Sequence, residues 1–315
     1  MPPRYGFPAA ANRGGLTGNG RHARTPVNFA GRRPRGGGAV VLGSLKTGAA
    51  ARLPRLFALA SIPADWLAAS NPASELNLLP LLVGRGDFAC DIGANRGLFT
   101  YWLLRLGVRV AAFEPNPEMV RVLGYRFRRA VADGRLRLSA CALSDGDGEA
   151  VLHIPHNQAA LATLDGGLAH DGGVTQDVAV PRRRLDDCLD GPVDFIKLDV
   201  EGHEARVLEG AQRVLATSRP TLLVEAEERH RAGALASVRA LLAPHGYAGF
   251  FAQADGMHPV ETFDPSVHQR LDALNEDGSG ARAPYVYVNN FVFTVRPEVN
   301  ARLAGWRPGR TLLRG

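Results

Sequence analysis

Apolar residues in this chain gather, from about residue 75 onward, into short runs separated by stretches of a different period. "DFACDIGA" (87 to 94), "VRVAAFEP" (108 to 115), "RLRLSACAL" (135 to 143), "VDFIKLDV" (193 to 200) and "TLLVEAE" (221 to 227) are nearly continuous in hydrophobicity. That is the pattern of strands buried on both faces. Helical patterns lie between them. "RGLFTYWLLRLG" follows the first run, and "NPEMVRVLGYRFRRAVADG" follows the second, with Asn116 placed to cap it, Pro117 at its first position and Gly134 near its stop. "HEARVLEGAQRVLATS" follows the fourth, and one continuous helix there would align Leu208, Ala211 and Leu215 on one face. Strand and helix in alternation predict an α/β fold with a mainly parallel sheet covered on both sides.

The third run departs from the alternation, because "SDGDGEAVLHIP" reads as a turn feeding another strand. Residues 156 to 176, "HNQAALATLDGGLAHDGGVTQ", then form a glycine-rich loop too long for a plain connector, of the kind that serves as a lid or a substrate contact. "GYAGFFAQADG" and "NNFVFTV" predict two further strands, paired as an antiparallel hairpin at the sheet edge.

Charge divides the chain. The net charge of the 315 residues is +6, but residues 1 to 55 hold nine arginines, Lys46 and no acid, which leaves −4 for the remainder. This Gly/Pro/Arg-rich tail has no periodicity that could bury apolar surface, and disorder is expected of it. Its candidate roles are a nucleic-acid or membrane-surface arm, or merely a solvated extension, and the last is favoured. Arg32-Arg33 resembles a twin-arginine signal, but Lys46, Arg52 and Arg55 interrupt the segment after it. No apolar run of spanning length occurs. Residues 56 to 315 are expected to form one domain with a helical lead-in. Cys90, Cys141 and Cys188, odd in number and never in a C-x-x-C pair, predict reduced, buried thiols in a cytoplasmic protein.

Two motifs carry binding chemistry. "DIGANRG" ends a strand and opens a helix; Gly93 and Gly97 permit a sharp turn and close approach of a ligand, and Asp91 adds a carboxylate. The glycine spacing is not the G-x-G-x-x-G of dinucleotide binders. It suits a phosphate-free nucleoside carrying a cationic amino acid, such as S-adenosylmethionine. Glu114, in "FEP", ends the next strand where doubly wound folds place an acid for the ribose hydroxyls.

Six segments in order, "DIGANRGLFT", "AFEPNP", "CALSDGDGE", "FIKLDVEGHE", "RPTLLVEAEERH" and "NNFVF", resemble the successive motifs of FkbM-type methyltransferases over roughly residues 74 to 295. The resemblance implies a class I methyltransferase (Rossmann-like) fold with seven strands, the last antiparallel. It implies S-adenosylmethionine as cofactor and methylation of a hydroxyl oxygen on a sugar or secondary metabolite. Carried over by position, Asp91, Gly93, Asn95 and Gly97 line the methionine end, Glu114 the ribose, and Cys141, Ala142 and Leu143 the adenine. The family more often has a polar residue in place of Cys141.

"DFIKLDVEGHE" then sits at the end of the fourth main strand, beside the cofactor crevice. An alcohol acceptor must be aligned and relieved of its proton. Asp199 is the first candidate for that work, with Glu201 and His203 next; His203 stays open between proton carrier and helix-entry residue. Lys197, one of only two lysines against 35 arginines, stands inside an apolar strand. Its partner is expected to be Asp91, Glu225 or Asp199, unless it lies at an edge and its stem runs out to water. Asp199 and Glu225 end adjacent strands and could hold magnesium, although no Asp-Asn pair follows Glu225, and metal dependence is not favoured. A dehydrogenase lacks its fingerprint here. A nucleic-acid methyltransferase using the tail, or a non-catalytic cofactor-binding module, are the alternatives; neither an Asn-Pro-Pro-aromatic run nor a Pro-Cys nucleophile is present to support the former.

Overall fold

The structure, a computed structural model, describes residues 54–155, 163–164, 175–275, 281 and 286–309. By its contacts the chain divides into residues 1–40 and 41–315, and every described residue belongs to the second unit. Residues 1–53 of the expected basic tail lie outside the described residues; Pro54 and Arg55, its last two, begin a helix and do not share the expected disorder.

The apolar runs become the five parallel strands of an eight-stranded sheet, one of them at its edge. β1 (Phe88–Ile92), β2 (Arg109–Phe113) and β3 (Leu136–Ser139) stand to one side, and β7 (Phe195–Leu198) and β8 (Thr221–Glu225) to the other, all parallel in the order β3-β2-β1-β7-β8. β11 (Asn290–Thr294) continues the sheet antiparallel to β8, followed by β9 (Ala248–Gln253) and β10 (Gly256–Pro259). The topology is that of a class I methyltransferase, with eight strands instead of seven. The additional strand is β10, joined to β9 through Ala254-Asp255 just ahead of Gly256 at φ 144°. The edge hairpin is therefore β9–β10. β11 is inserted between β8 and β9, so all its apolar residues find cover; it is not the edge strand that the sequence pattern predicts.

Helices bury both faces. α1 (Pro54–Ser70), α2 (Leu98–Arg105), α3 (Pro117–Arg126) and, near the C-terminus, Pro297–Ala304 pack on one side, around Trp102, Leu103, Leu123, Leu223 and Leu303. α4 (Glu204–Glu209), α5 (Gln212–Thr217) and α6 (Ala234–Leu242) cover the other, around Ile196, Leu208, Leu215, Val238 and Phe291. α3 starts as its sequence dictates: the Asn116 side chain accepts from the Glu118 N–H at 2.9 Å and Pro117 takes the first position. α1 is tied to α3 through Asp65, fully buried and ion-paired with Arg126.

Two expected helices are broken. The run after Asn116 is interrupted at Phe127 before a short helix over Arg128–Ala132. The run after His203 splits into α4 and α5 at Gly210, where a Cβ would stand 1.9 Å from the backbone oxygen of Ser144. That close approach fixes glycine and bends the chain, while Leu208, Ala211 and Leu215 still reach the core.

A separate three-stranded sheet, β4-β6-β5, is formed by β4 (Ala142–Leu143), β5 (Gly148–Pro155) and β6 (Thr175–Arg183). β5 is the strand expected after the turn. The sequence pattern does not predict β6: "TQDVAVPRR" alternates weakly and contains Pro181. Most of the glycine-rich segment between β5 and β6 lies outside the described residues; Thr163 is described, and exchanges two backbone hydrogen bonds with His153.

Candidate functional site

The sheet register builds the site. Ile92 is level with both Phe113 and Leu198, and Leu198 with Val224. The residues just beyond them, Gly93, Glu114, Asp199 and Glu225, therefore emerge at one edge, the carboxyl edge at which open α/β sheets bind ligands. A cleft opens there, lined on its polar side by Asn95, Glu114, Asp199, Glu201 and His203.

Gly93 shapes its floor. Its φ is +77°, and a Cβ would stand 1.8 Å from the backbone oxygen of Asp199. Only glycine lets the ends of β1 and β7 close to this distance. Asn95, itself at φ 48°, directs its N–H to Glu114 Oε2 at 2.7 Å, and the Asn116 N–H reaches Oε1 at 2.8 Å. Glu114 is 5% exposed. Burial pushes it up to about 7, against the pull of the two N–H donors.

Two of the expected cofactor residues stand behind the cleft. Asp91 is buried beneath it, with Thr100 Oγ1 donating to its carboxylate at 2.5 Å. Burial raises Asp91 to about 6, opposed by the Thr100 hydrogen bond and by Lys197. Gly97, at φ +86°, heads α2, and a Cβ there would run into Phe127 and Leu123. Its glycine is demanded by packing of α2 against α3.

Cys141, Ala142 and Leu143 line the cleft with Phe113, Leu152 and Leu164, forming an apolar wall. Leu152 and Leu164 come from the second sheet and the glycine-rich segment, contributions that strand periodicity could not assign. Cys141 is buried, whereas Cys188 is only partly so. Both remain free thiols.

Lys197 is 1% exposed in a central strand, so its stem does not run to water. Its ammonium stands 3.6 Å from Asp199 Oδ2, 3.8 Å from Glu225 Oε2 and 4.9 Å from the Phe99 ring centre. Of the expected partners it takes both strand-end acids and not Asp91. The space between Asp199 and Glu225 where a divalent cation would stand thus receives a lysine. Among the described residues no group of three or more His, Cys, Asp or Glu side chains is arranged to hold a metal ion.

Asp199, Glu201 and His203 all line the cleft, but they face different neighbours. His203 Nε2 lies 2.9 Å from the Ser144 hydroxyl, next to the apolar wall. Glu201, at φ 50°, pairs with His230 Nδ1 at 2.5 Å. Burial raises the Glu201 carboxyl, with the His230 hydrogen bond holding it back. His230, in "EERH" after β8, is not among the residues that sequence reasoning selects. Nothing in its spacing marks it, and only the fold brings that turn against "VEGHE". Beside it, Asn289 donates to Glu225 at 2.6 Å, and Tyr287 and Arg229 hold Glu227.

The donor set fits S-adenosylmethionine. A nearly enclosed carboxylate would suit a diol, an apolar wall would suit an adenine, carboxylates would suit a cation, and the glycine turn leaves room for a ligand to approach the backbone. No described helix is long and apolar enough to cross a membrane.

A family model described as the methyltransferase FkbM domain matches residues 91–248, half of the chain. No curated protein matches. Among solved structures, the chain is similar to methyltransferase FkbM from Methylobacillus flagellatus KT at 17% identity and a TM-score of 0.44, covering 74% of this chain and 58% of that one. It is also similar to the O-methyltransferase from Bacillus cereus in complex with SAH, at 15% identity and a TM-score of 0.38, covering 69% and 77%. A SAM-dependent methyltransferase from Aquifex aeolicus is similar at 13% and 0.35, covering 72% and 90%. The chain spans a little over half the length of the Methylobacillus protein.

Proposed function

The chain belongs to the FkbM methyltransferase family, and on that premise we propose that it binds S-adenosylmethionine in the strand-end cleft and methylates a hydroxyl oxygen of a sugar or secondary metabolite. The observation that carries the reading is Glu114: a carboxylate at the end of β2, lining the cleft, with each oxygen anchored by one backbone N–H. Each oxygen retains a lone pair for one ribose hydroxyl. Asn95 and Gly93 border the methionine portion, with Asp91 supplying negative charge from beneath and Gly97 keeping α2 in place. Cys141, Ala142 and Leu143 would hold the adenine, and His203, held by Ser144, borders the same wall.

When bound, the cofactor supplies an electrophilic methyl on a cationic sulfur. The chain supplies alignment and a destination for the acceptor's proton. Asp199 has one oxygen engaged by Lys197 and the other available to orient the hydroxyl. Glu201 stands beside it.

Labelled S-adenosylmethionine offered with a panel of glycans and polyketide-like alcohols tests the reading. The full chain should label at least one alcohol. Asp199→Ala should lose turnover while binding S-adenosylhomocysteine within about threefold of wild type. Full activity in Asp199→Ala would remove its assigned role, and label appearing only in RNA, and lost on deleting residues 1–55, would favour a nucleic-acid substrate.

A further inference from the structure

The strand ends carry a second polar network, built on Glu201 and His230. Glu201 lies in the turn between β7 and α4 with φ 50°, a left-handed conformation that costs a non-glycine residue stability and persists only where the surroundings hold it. They do hold it. Thr163 Oγ1 donates to the Glu201 backbone oxygen at 3.1 Å, and Gly202 comes next with its N–H on the Glu204 carboxylate at 2.9 Å. The side chain is 18% exposed, lines the cleft, and takes the His230 Nδ1 hydrogen bond at 2.5 Å.

His230 is equally constrained. Its ring is 13% exposed, and its backbone N–H donates to the Glu227 oxygen at 3.1 Å. The charged and titratable groups around the pair are Asp199 from the β7–α4 turn, Glu204 at the start of α4, Glu225 at the end of β8, Glu227 and Arg229 from the segment after it, and Tyr287 ahead of β11, bonded to Glu227. Glu227 does not compete for the ring, because its carboxylate is bonded by Arg229 and by the Tyr287 hydroxyl at 2.7 Å. Glu201 is thus the dedicated partner of His230. No hydrogen bond to His230 Nε2 occurs among the described residues.

We propose that His230 is a positioning residue for the methionine end of the cleft, holding the Glu201 carboxylate ionised and in place so that the pair acts as a proton-controlled counter-charge to the cofactor's sulfonium. The inference rests on the cofactor reading above and deepens it. With His230 protonated the pair is neutral; with His230 neutral it carries one negative charge. Burial lowers the His230 pKa, but the Glu201 hydrogen bond and charge outweigh it, and the net displacement is upward. As pH rises through that value the pair gains negative charge, and attraction for a sulfonium increases while attraction for an uncharged thioether does not. The consequence for turnover is discrimination: the cationic methyl donor is favoured over its neutral product, which would otherwise compete for the same cleft.

The test needs no acceptor. S-adenosylmethionine and S-adenosylhomocysteine share adenosine, carboxylate and α-amino group and differ in the sulfur's charge, so the ratio of their dissociation constants isolates that charge. Calorimetry on the full chain between pH 6 and 9 should show the preference for S-adenosylmethionine rising by about threefold or more in the wild type. His230→Gln should move the midpoint of the rise, because Glu201 then titrates in place of His230, while binding S-adenosylhomocysteine within about threefold of wild type, which also shows that it is folded. Glu201→Gln should lose the rise and hold the ratio near the wild type's value at low pH. A flat ratio in the wild type, or a rise with an unmoved midpoint in His230→Gln, would overturn the inference and leave the cofactor reading standing. Failure of both ligands to bind the wild type would overturn both.

Discussion

Replacing Lys197 by methionine probes the charge arrangement beneath the site. The ammonium is 1% exposed and stands 3.6 Å from Asp199 Oδ2 and 3.8 Å from Glu225 Oε2. At an effective dielectric of about 20, each pair attracts by roughly 4–5 kcal/mol before any cost is counted. Enclosing the ion costs several kcal/mol, so the net benefit of the assembled cluster is far smaller than that sum. Removing one member is a different matter, because the others lose their counter-ion while staying where they are. Lys197→Met should therefore cost about 3–5 kcal/mol at pH 8. Burial and the nearby Asp199 already raise the Glu225 carboxyl well above the ordinary carboxylate range, with Lys197 opposing them. Without Lys197 that carboxyl binds a proton more readily. A carboxyl whose pKa is raised by folding contributes stability below its unfolded value and loses it as pH climbs through the folded one. The deficit of Lys197→Met should accordingly shrink at pH 6, and Lys197→Met/Glu225→Gln should recover much of it at pH 8. Equilibrium urea unfolding followed by tryptophan fluorescence measures each quantity. A variant within about 0.5 kcal/mol of wild type at pH 8, the range of an ordinary surface substitution, or an equal deficit at both pH values, would refute the reasoning.

Two more outcomes are expected from the geometry. Gly93→Ala places a methyl 1.8 Å from a backbone oxygen at φ +77°, which no side-chain movement can relieve; a loss of about 3 kcal/mol or more in urea unfolding is expected, with weakened cofactor binding. Asp91, Glu114 and Glu204 are raised by burial to about 6, 7 and 7, above their unfolded values near 4, so the unliganded protein should melt at a lower temperature at pH 8 than at pH 5.5. Glu204→Gln, which keeps an oxygen for the Gly202 N–H, should flatten part of that dependence in differential scanning fluorimetry; a melting temperature that rises between those pH values would contradict it.

The inner parallel strands are legible in the sequence because β1, β2, β7 and β8 are buried on both faces and leave unbroken apolar runs, and Glu114 and Asp199 are legible because a parallel register brings strand ends level. β6 is not, since it lies in a small sheet with one face exposed and includes a proline. The breaks at Phe127 and Gly210 are invisible for a different reason: the residue that forces the second one, Ser144, is distant in sequence. The same limit hides His230. Glu201 can be suspected from its place after Asp199, but its partner is set by how the turn after β8 folds back against the turn after β7. Lys197 is conspicuous as a lone charge in an apolar strand, and only the structure can choose among its three candidate partners.

Binding of S-adenosylhomocysteine through the Glu114 carboxylate is the claim on which the rest stands. Titration calorimetry of the full chain at pH 8 should show one site for S-adenosylhomocysteine and none for NAD. Loss of two charge-assisted hydrogen bonds, at about 1.5–3 kcal/mol each, should weaken binding to Glu114→Ala by about 100-fold or more. Binding of NAD in preference, or unchanged affinity of Glu114→Ala for S-adenosylhomocysteine, would contradict the account.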